Sequence, residues 1–335
     1  MASNSFLEST FTQSDPVLDT PLRPQLLDEF VGQEQTRERL KVLLDAAKQR
    51  GDILRHCLFS GPPGLGKTTL AHILAKMMGT NLVVTSGPVI EKAGDLAGIL
   101  TNLKQGDILF IDELHRLSAV VEEYLYPAME DFALDLVIDS GPSARTVQIK
   151  LQPFTLVGAT TRIGLISAPM RSRFAFSCRL DYYEPEVLAK ILLRTAGLLK
   201  MEVDASALQE ISERARGTPR IANNLMRWVR DYAQTRHEGK VTREVADRAL
   251  SLLTIDKIGL DEVDVKILRV IIDLYQGGPV GLNAIAASIG EEKSTIEEVY
   301  EPYLIMRGLL RRTPRGREVT PRAYEHLGCE HKGSA

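Results

Sequence analysis

The chain has 335 residues, 44% of them hydrophobic and 25% charged, an ordinary globular composition with length enough for two or three domains. Its formal net charge of −3 provides no global attraction to nucleic acid, so any DNA site has to be a local basic patch. The three cysteines Cys57, Cys178 and Cys329 are odd in number and widely spaced, the six histidines show no metal spacing, and no apolar run is as long as a transmembrane helix. A disulfide framework, a zinc cluster and a membrane span are therefore not expected.

Residues 1–19 are polar and Ser/Thr-rich, without a basic n-region or an apolar h-region, which suits a flexible tail in a cytoplasmic protein. Leu22-Arg23-Pro24 and Phe30-Val31-Gly32-Gln33 precede an amphipathic helix from about Glu34 to Lys48, placed as an adenine-side clamp would be. Cys57-Leu58-Phe59 then reads as a buried strand running into Gly61 to Thr69, Gly-Pro-Pro-Gly-Leu-Gly-Lys-Thr-Thr. This is a complete G-x-x-x-x-G-K-[ST] phosphate loop, and Leu70 to Met78 continues as a helix, which is the context the motif requires. Gly64 and Gly66 let backbone N–H groups turn inward on polyphosphate at the helix N-terminus. Lys67 reaches the β- and γ-phosphates, Thr68 supplies a hydroxyl to Mg²⁺, and Thr69 follows in the first turn.

The metal needs a carboxylate as well, and Asp107-Ile108-Leu109-Phe110-Ile111-Asp112-Glu113 provides one. It reads as a central strand buried on both faces and ending in two acids, with Asp112 on the metal side and Glu113 polarising the attacking water. The alternative, two acids capping the next helix, is weakened by the phosphate loop upstream. Further strands are expected near Leu82 to Thr85 and Phe154 to Gly158, giving a mostly parallel sheet with ligands at its carboxyl ends. From Ala133 to Leu151 alternation around Asp139-Ser140-Gly141-Pro142 marks a hairpin, either inserted or packed on the core.

After Tyr183 the pattern becomes helical over Pro185–Leu199, Ala205–Ala215, Pro219–Arg236 and Arg243–Leu253. Gly217-Thr218-Pro219-Arg220 puts an arginine in a helix first turn, where the dipole does not favour it; a nearby anion or chance placement both account for it. From about Leu260, three helices (Val263–Tyr275, Leu282–Ile289, Ser294–Met306) precede a hairpin over Leu309–Thr320, the order of a winged helix. Arg311-Arg312-Thr313-Pro314-Arg315-Gly316-Arg317 sets four guanidiniums around its turn, suited to a phosphate backbone or to a merely solvated surface.

With these residues in place, the chain from about Leu22 to Thr320 resembles the RuvB family, AAA+ ATPases that drive branch migration of Holliday junctions. The likeness includes Thr85-Ser86-Gly87-Pro88, Glu91 to Leu96, Asp112 to Leu117, Tyr126-Pro127-Ala128-Met129-Glu130-Asp131, Gly158-Ala159-Thr160-Thr161-Arg162, Arg216 to Ala222 and Gly277 to Leu282. It implies an α/β AAA+ P-loop core with a parallel sheet, then a small all-α lid and a C-terminal winged helix, over 20–183, 184–255 and 256–335. It also implies that Thr161 is sensor 1 and Arg220 sensor 2. Arg173 is implied as the arginine finger acting on a neighbouring subunit's nucleotide, with Arg171 the alternative. Leu22, Arg23, Tyr183 and Glu130, Asp131 and Phe132 are nucleotide contacts by the same resemblance. Arg312 and Arg317 match DNA-contacting positions, Lys293 falls where the family often has arginine, and Arg315 shares the wing's loop, so the four are expected to bind DNA. ATP and Mg²⁺ are the implied cofactors. The implied partners are duplex and Holliday-junction DNA, RuvA docked on the hairpin, RuvC resolvase and five further copies in a hexamer, in recombination and repair. Two features depart from the family: Ala175 stands after Phe174 where glycine is usual, and the N-terminal tail and the short end after Leu327 match nothing in it. An initiator-like AAA+ switch and a nucleotide-gated adaptor share the same modules and remain as rival readings.

Overall fold

The structure is a computed structural model that describes residues 20–138 and 145–330. Residues 20–183 make one compact unit and 184–330 belong to another. In chain order the first holds α1 (Glu34–Arg50), β1 (Cys57–Ser60), α2 (Lys67–Met78), β2 (Leu82–Ser86), α3 (Ala93–Leu100), β3 (Ile108–Asp112) and α4 (Ala119–Glu130). It continues through the hairpin strands β4 (Ala133–Ile138) and β5 (Arg145–Lys150), then β6 (Thr155–Thr160), α5 (Ala168–Ser172) and β7 (Phe176–Arg179).

Five of these strands form one parallel sheet in the order β2-β3-β6-β1-β7. The apolar runs of β1, β3 and β6 fill its centre, buried along their length, because helices cover both faces and no alternation is needed. β2 lies at one edge, with Val84 exposed. β7 lies at the other, its Phe176 and Cys178 buried between exposed Ser177 and Arg179. Left-handed glycines, Gly51 after α1 and Gly79 after α2, stop those helices. β4 and β5 pair separately, Leu134 opposite Ile149 and Leu136 opposite Val147. Ala133, Leu134 and Leu151 anchor the hairpin's base in the core, while Val147 is exposed. The turn expected at Asp139 to Pro142 lies outside the described residues.

The second unit holds α6 (Pro185–Leu198), β8 (Glu202–Val203), α7 (Ala205–Arg214), α8 (Pro219–Arg236), β9 (Lys240–Val241) and α9 (Arg243–Ser251). Proline opens α6 and α8 at the position where its missing N–H costs nothing. α10 (Glu262–Tyr275) and α11 (Leu282–Ile289) follow, and then α12, which runs from Lys293–Thr295 through a π turn at Ile296–Tyr300 into Glu301–Met306. The wing is the antiparallel pair β10 (Leu310–Thr313) and β11 (Gly316–Val319), and α13 (Pro321–Leu327) closes the described chain. Ile267, Leu268, Ile271, Ile285, Tyr300 and Leu304 are among the residues of this part's own core.

Candidate functional site

The phosphate loop joins β1 to α2, and its shape is set by glycines in conformations that L side chains rarely adopt: Gly61 at φ 135°, Gly64 at 77° and Gly66 at 106°. A Cβ on Gly66 would lie 2.8 Å from the Phe30 ring. Lys67 opens α2 and is buried; its ammonium donates to the Gly61 and Pro62 carbonyls, 2.7 Å each. A buried cation curled inside a loop at a helix N-terminus, where the first N–H groups have no intrahelical acceptor, fits a polyphosphate. Thr68 and Thr69 follow, half-buried in the first turn.

Topology brings the remaining groups to the same end of the sheet. β6 lies between β1 and β3, so the carboxyl ends of all three adjoin. β3 ends at Asp112, whose Oδ1 accepts the Glu113 N–H at 2.9 Å. Glu113 is left-handed at φ 48°, a conformation unusual for glutamate and of the kind held at functional sites. Its carboxylate is half-exposed and takes a 3.0 Å hydrogen bond from Arg116. Gly87 permits the approach, since a Cβ there would meet the Glu113 carbonyl at 2.5 Å. Hydroxyl oxygen from Thr68 and carboxylate oxygen from Asp112 make a donor set of the hard type that Mg²⁺ takes. At the end of β6 the buried Thr160 hydroxyl is 3.0 Å from His115 Nδ1 and accepts the Arg162 N–H at 3.0 Å, leaving Thr161 exposed just beyond the strand. His115 was not singled out from the sequence, because a lone histidine after an acidic pair shows no ligand spacing.

The segments flanking this centre are tied to it. Leu22 is buried, and Arg23 donates to His72 Nε2 at 3.0 Å. Burial and the neighbouring Arg23 charge hold His72 below its ordinary pKa, which suits its role as acceptor. Gln33 donates to the Asp181 carbonyl at 2.6 Å, and the Tyr183 hydroxyl donates to the Leu65 carbonyl in the phosphate loop at 3.2 Å. Burial pushes the Tyr183 phenol up, keeping that proton in place.

Arg173, just past α5, lies over the Tyr126 ring at 4.2 Å, donates to the Pro169 carbonyl at 2.8 Å and to Glu130 at 3.3 Å. Glu122 accepts from the Ser167 hydroxyl at 2.6 Å and from Tyr126 at 3.1 Å, which fastens α4 to the N-cap of α5. Arg173 and Glu130, 43 residues apart in sequence, are therefore direct neighbours. Asp131 is exposed, and Phe132, at φ 51°, meets Phe154 edge-on at 6.0 Å between centroids. Arg171 is exposed. Ala175 is exposed and is not among the non-glycine residues of positive φ, so its backbone needs no glycine.

In the second unit Arg220 is the second residue of α8 and half-buried. The wing does not present its arginines alike. Arg312 binds the Glu301 carboxylate at 2.6 and 2.9 Å, and Arg317 binds the same group at 3.0 and 3.1 Å. Glu301 is fully buried, whereas the side chains of Arg312 and Arg317 are 51% and 18% exposed. Burial works against the Glu301 charge, but the two arginines hold its pKa below the ordinary glutamate range. Arg311 pairs with Glu318 at 2.6 Å, while Arg315 stands exposed at the tip and Lys293 exposed at the start of α12.

The model of the Holliday junction DNA helicase RuvB P-loop domain matches residues 22–180. The RuvB AAA lid domain matches 183–256, and the RuvB C-terminal winged helix domain matches 257–328. The Holliday junction branch migration complex subunit RuvB of Protochlamydia amoebophila is 65% identical over 325 residues, covering 97% of this chain and 98% of that one. Its counterpart in Flavobacterium johnsoniae is 59% identical over 311 residues, 93% of this chain and 92% of its own length. The solved structure of the Thermotoga maritima RuvB Holliday junction branch migration motor superposes with a TM-score of 0.85 at 52% identity, over 92% of this chain and 99% of that one.

Proposed function

The chain belongs to the RuvB family, and on that premise we propose that it is the ATP-hydrolysing motor subunit that drives branch migration of Holliday junctions, working with RuvA. The observation that carries this reading is the meeting of phosphate loop, acid pair and Thr160-Thr161 at the carboxyl ends of three adjacent strands. Lys67 and the loop N–H groups hold the triphosphate. Thr68 and Asp112 hold Mg²⁺, which neutralises charge on the β- and γ-phosphates when bound. Glu113 leaves Arg116 to orient water, and Thr161 senses the γ-phosphate. Leu22, Arg23 and Tyr183 bound the nucleotide, and Arg220 takes the role of sensor 2.

Arg173 acts on the nucleotide of the next subunit in a homohexamer. Because Glu130 touches Arg173, the contact assigned to Glu130 belongs to that same neighbour-facing surface, with the exposed Asp131 next to it. The domains are 20–183, 184–255 and 256–335; the hairpin takes RuvA, and Lys293, Arg312, Arg315 and Arg317 line the DNA path. RuvC joins at the junction, in the cytoplasm. No helix among the described residues is long and apolar enough to cross a membrane.

The test is strand exchange on a synthetic four-way junction of mobile sequence, with RuvA and ATP each supplied or withheld. ATP-dependent movement that RuvA stimulates is expected. Nucleotide-dependent binding to one duplex sequence without junction movement would instead identify an initiator-like switch.

A further inference from the structure

Arg216 precedes α8 by three residues, and its side chain is directed away from the nucleotide-sensing turn into the start of the winged helix. Its backbone is left-handed at φ 54°, followed by Gly217 at 66°, and the Thr218 hydroxyl donates to its carbonyl at 3.2 Å. The side chain is 1% exposed. Nε donates to the Gly259 carbonyl at 2.7 Å, Nη2 is paired with Asp264 and lies 3.9 Å from Asp261, and the guanidinium lies 4.8 Å from the Tyr303 ring centroid. Asp261 and Asp264 are the two halves of the capping box of α10, each accepting the other's backbone N–H, at 2.9 and 3.0 Å. A lid arginine thus holds the N-terminus of the first winged-helix helix.

The connecting segment is braced rather than loose. Arg214, also buried, donates to the Ile255 carbonyl at 3.1 Å. Asp256 accepts the N–H groups of Ile258 and Leu260 at 2.9 and 2.8 Å and meets His326 of α13 at 2.7 Å. Yet Arg216 Nη1, Asp261 Oδ2 and Asp264 Oδ1 are buried without a hydrogen-bond partner. A buried ionic cluster with unmet polar atoms is a poor device for stability alone, since apolar packing commonly does as well. What a forked guanidinium among fixed acceptors supplies is direction.

We propose that Arg216 is a positioning residue that welds lid and winged helix into one lever. Its backbone leads through Gly217, Thr218 and Pro219 to Arg220. A displacement of Arg220 on nucleotide closure or release therefore turns α10 and the DNA-binding wing as a rigid body. The functional meaning rests on the motor reading above, but the weld itself does not.

The test uses the full chain with Cys329→Ser and spin labels at Lys190→Cys on the lid and Arg322→Cys on the winged helix, both exposed positions. Distances are read without nucleotide, with ADP and with a non-hydrolysable ATP analogue, with and without duplex DNA. One narrow distance in every state is expected. Arg216→Gly, which tolerates the left-handed backbone while removing the side chain, should broaden it severalfold; where that variant does not fold, Asp264→Asn serves the same purpose. In the same variants junction movement per ATP should fall severalfold while DNA-free hydrolysis stays within twofold. A wild-type distance that shifts with nucleotide, or variants as narrow as wild type, would overturn the proposal. These distances need no branch migration, so loss of the motor reading would leave them interpretable.

Discussion

On the proposed reading Lys67 and Glu113 serve different parts of one chemical event, and their surroundings differ accordingly. Lys67 is buried against loop carbonyls; if it is the phosphate-binding cation proposed above, Lys67→Ala should make nucleotide affinity collapse in an equilibrium titration. Glu113→Gln keeps a side chain able to accept from Arg116 and keeps the left-handed turn. It should therefore bind ATP and fail to hydrolyse it. Equal loss of affinity in both variants would contradict the role given to Glu113. Arg173→Ala deletes a group held by Glu130 and Tyr126 outside the subunit's own phosphate loop contacts. Binding should survive and turnover should fall by about 10³ to 10⁵, the range of arginine fingers. Adding Lys67→Ala subunits, which retain Arg173, should restore part of the hydrolysis at mixed interfaces, and no recovery at any mixing ratio would count against action in trans.

At the scale of elements, legibility followed the range of the interactions that form them. The helix Pro219–Arg236 has the limits read from sequence and the strand Ile108–Asp112 lies within the run read from Asp107 to Glu113, because apolar runs and N-terminal proline are local signals. β7 is four residues of alternation, too short to stand out, and the helix after the phosphate loop starts three residues early because Gly66 is its N-cap. Glu301 and Arg216 were illegible for a different reason: their partners come from distant segments, 11 to 48 residues away. Glu301→Gln tests the first of these. Losing the buried charge that holds two arginines should destabilise the winged helix by about 1 to 3 kcal/mol at neutral pH. The sign with pH follows from the lowered folded pKa. The stabilisation is complete above the ordinary glutamate value of about 4.3 and is lost as pH falls through the lower folded value, so the gap between wild type and variant should close in acid. A gap independent of pH would show that packing, not charge, is at stake. On the hairpin, Val147→Asp charges an exposed apolar position without entering the core that holds Leu134. It should abolish RuvA capture in a pull-down while basal hydrolysis continues; intact capture would move the RuvA contact off this strand.

For the molecule as a whole, a net charge of −3 means that duplex DNA is gripped through local cations or not at all. A motor that advances over any sequence has to hold phosphates rather than base edges, so its affinity should fall steeply with salt and little with sequence. In the proposed DNA contact the wing arginines are not equally available. Arg315 is exposed at the tip and Arg312 half-exposed, whereas Arg317 is mostly buried against Glu301. Arg315→Ala should therefore weaken binding equally on unrelated duplexes and flatten the log–log salt slope by about 0.9 per lost contact, with the melting temperature unchanged. Arg317→Ala should lower the melting temperature as well, because it strips one of the two cations from the buried carboxylate. Neither should alter hydrolysis in the absence of DNA, since the phosphate loop belongs to the other compact unit. If Arg315→Ala instead lost affinity for one sequence while keeping the original salt slope, the wing would be reading bases, and a site-specific initiator would fit this chain better than a motor.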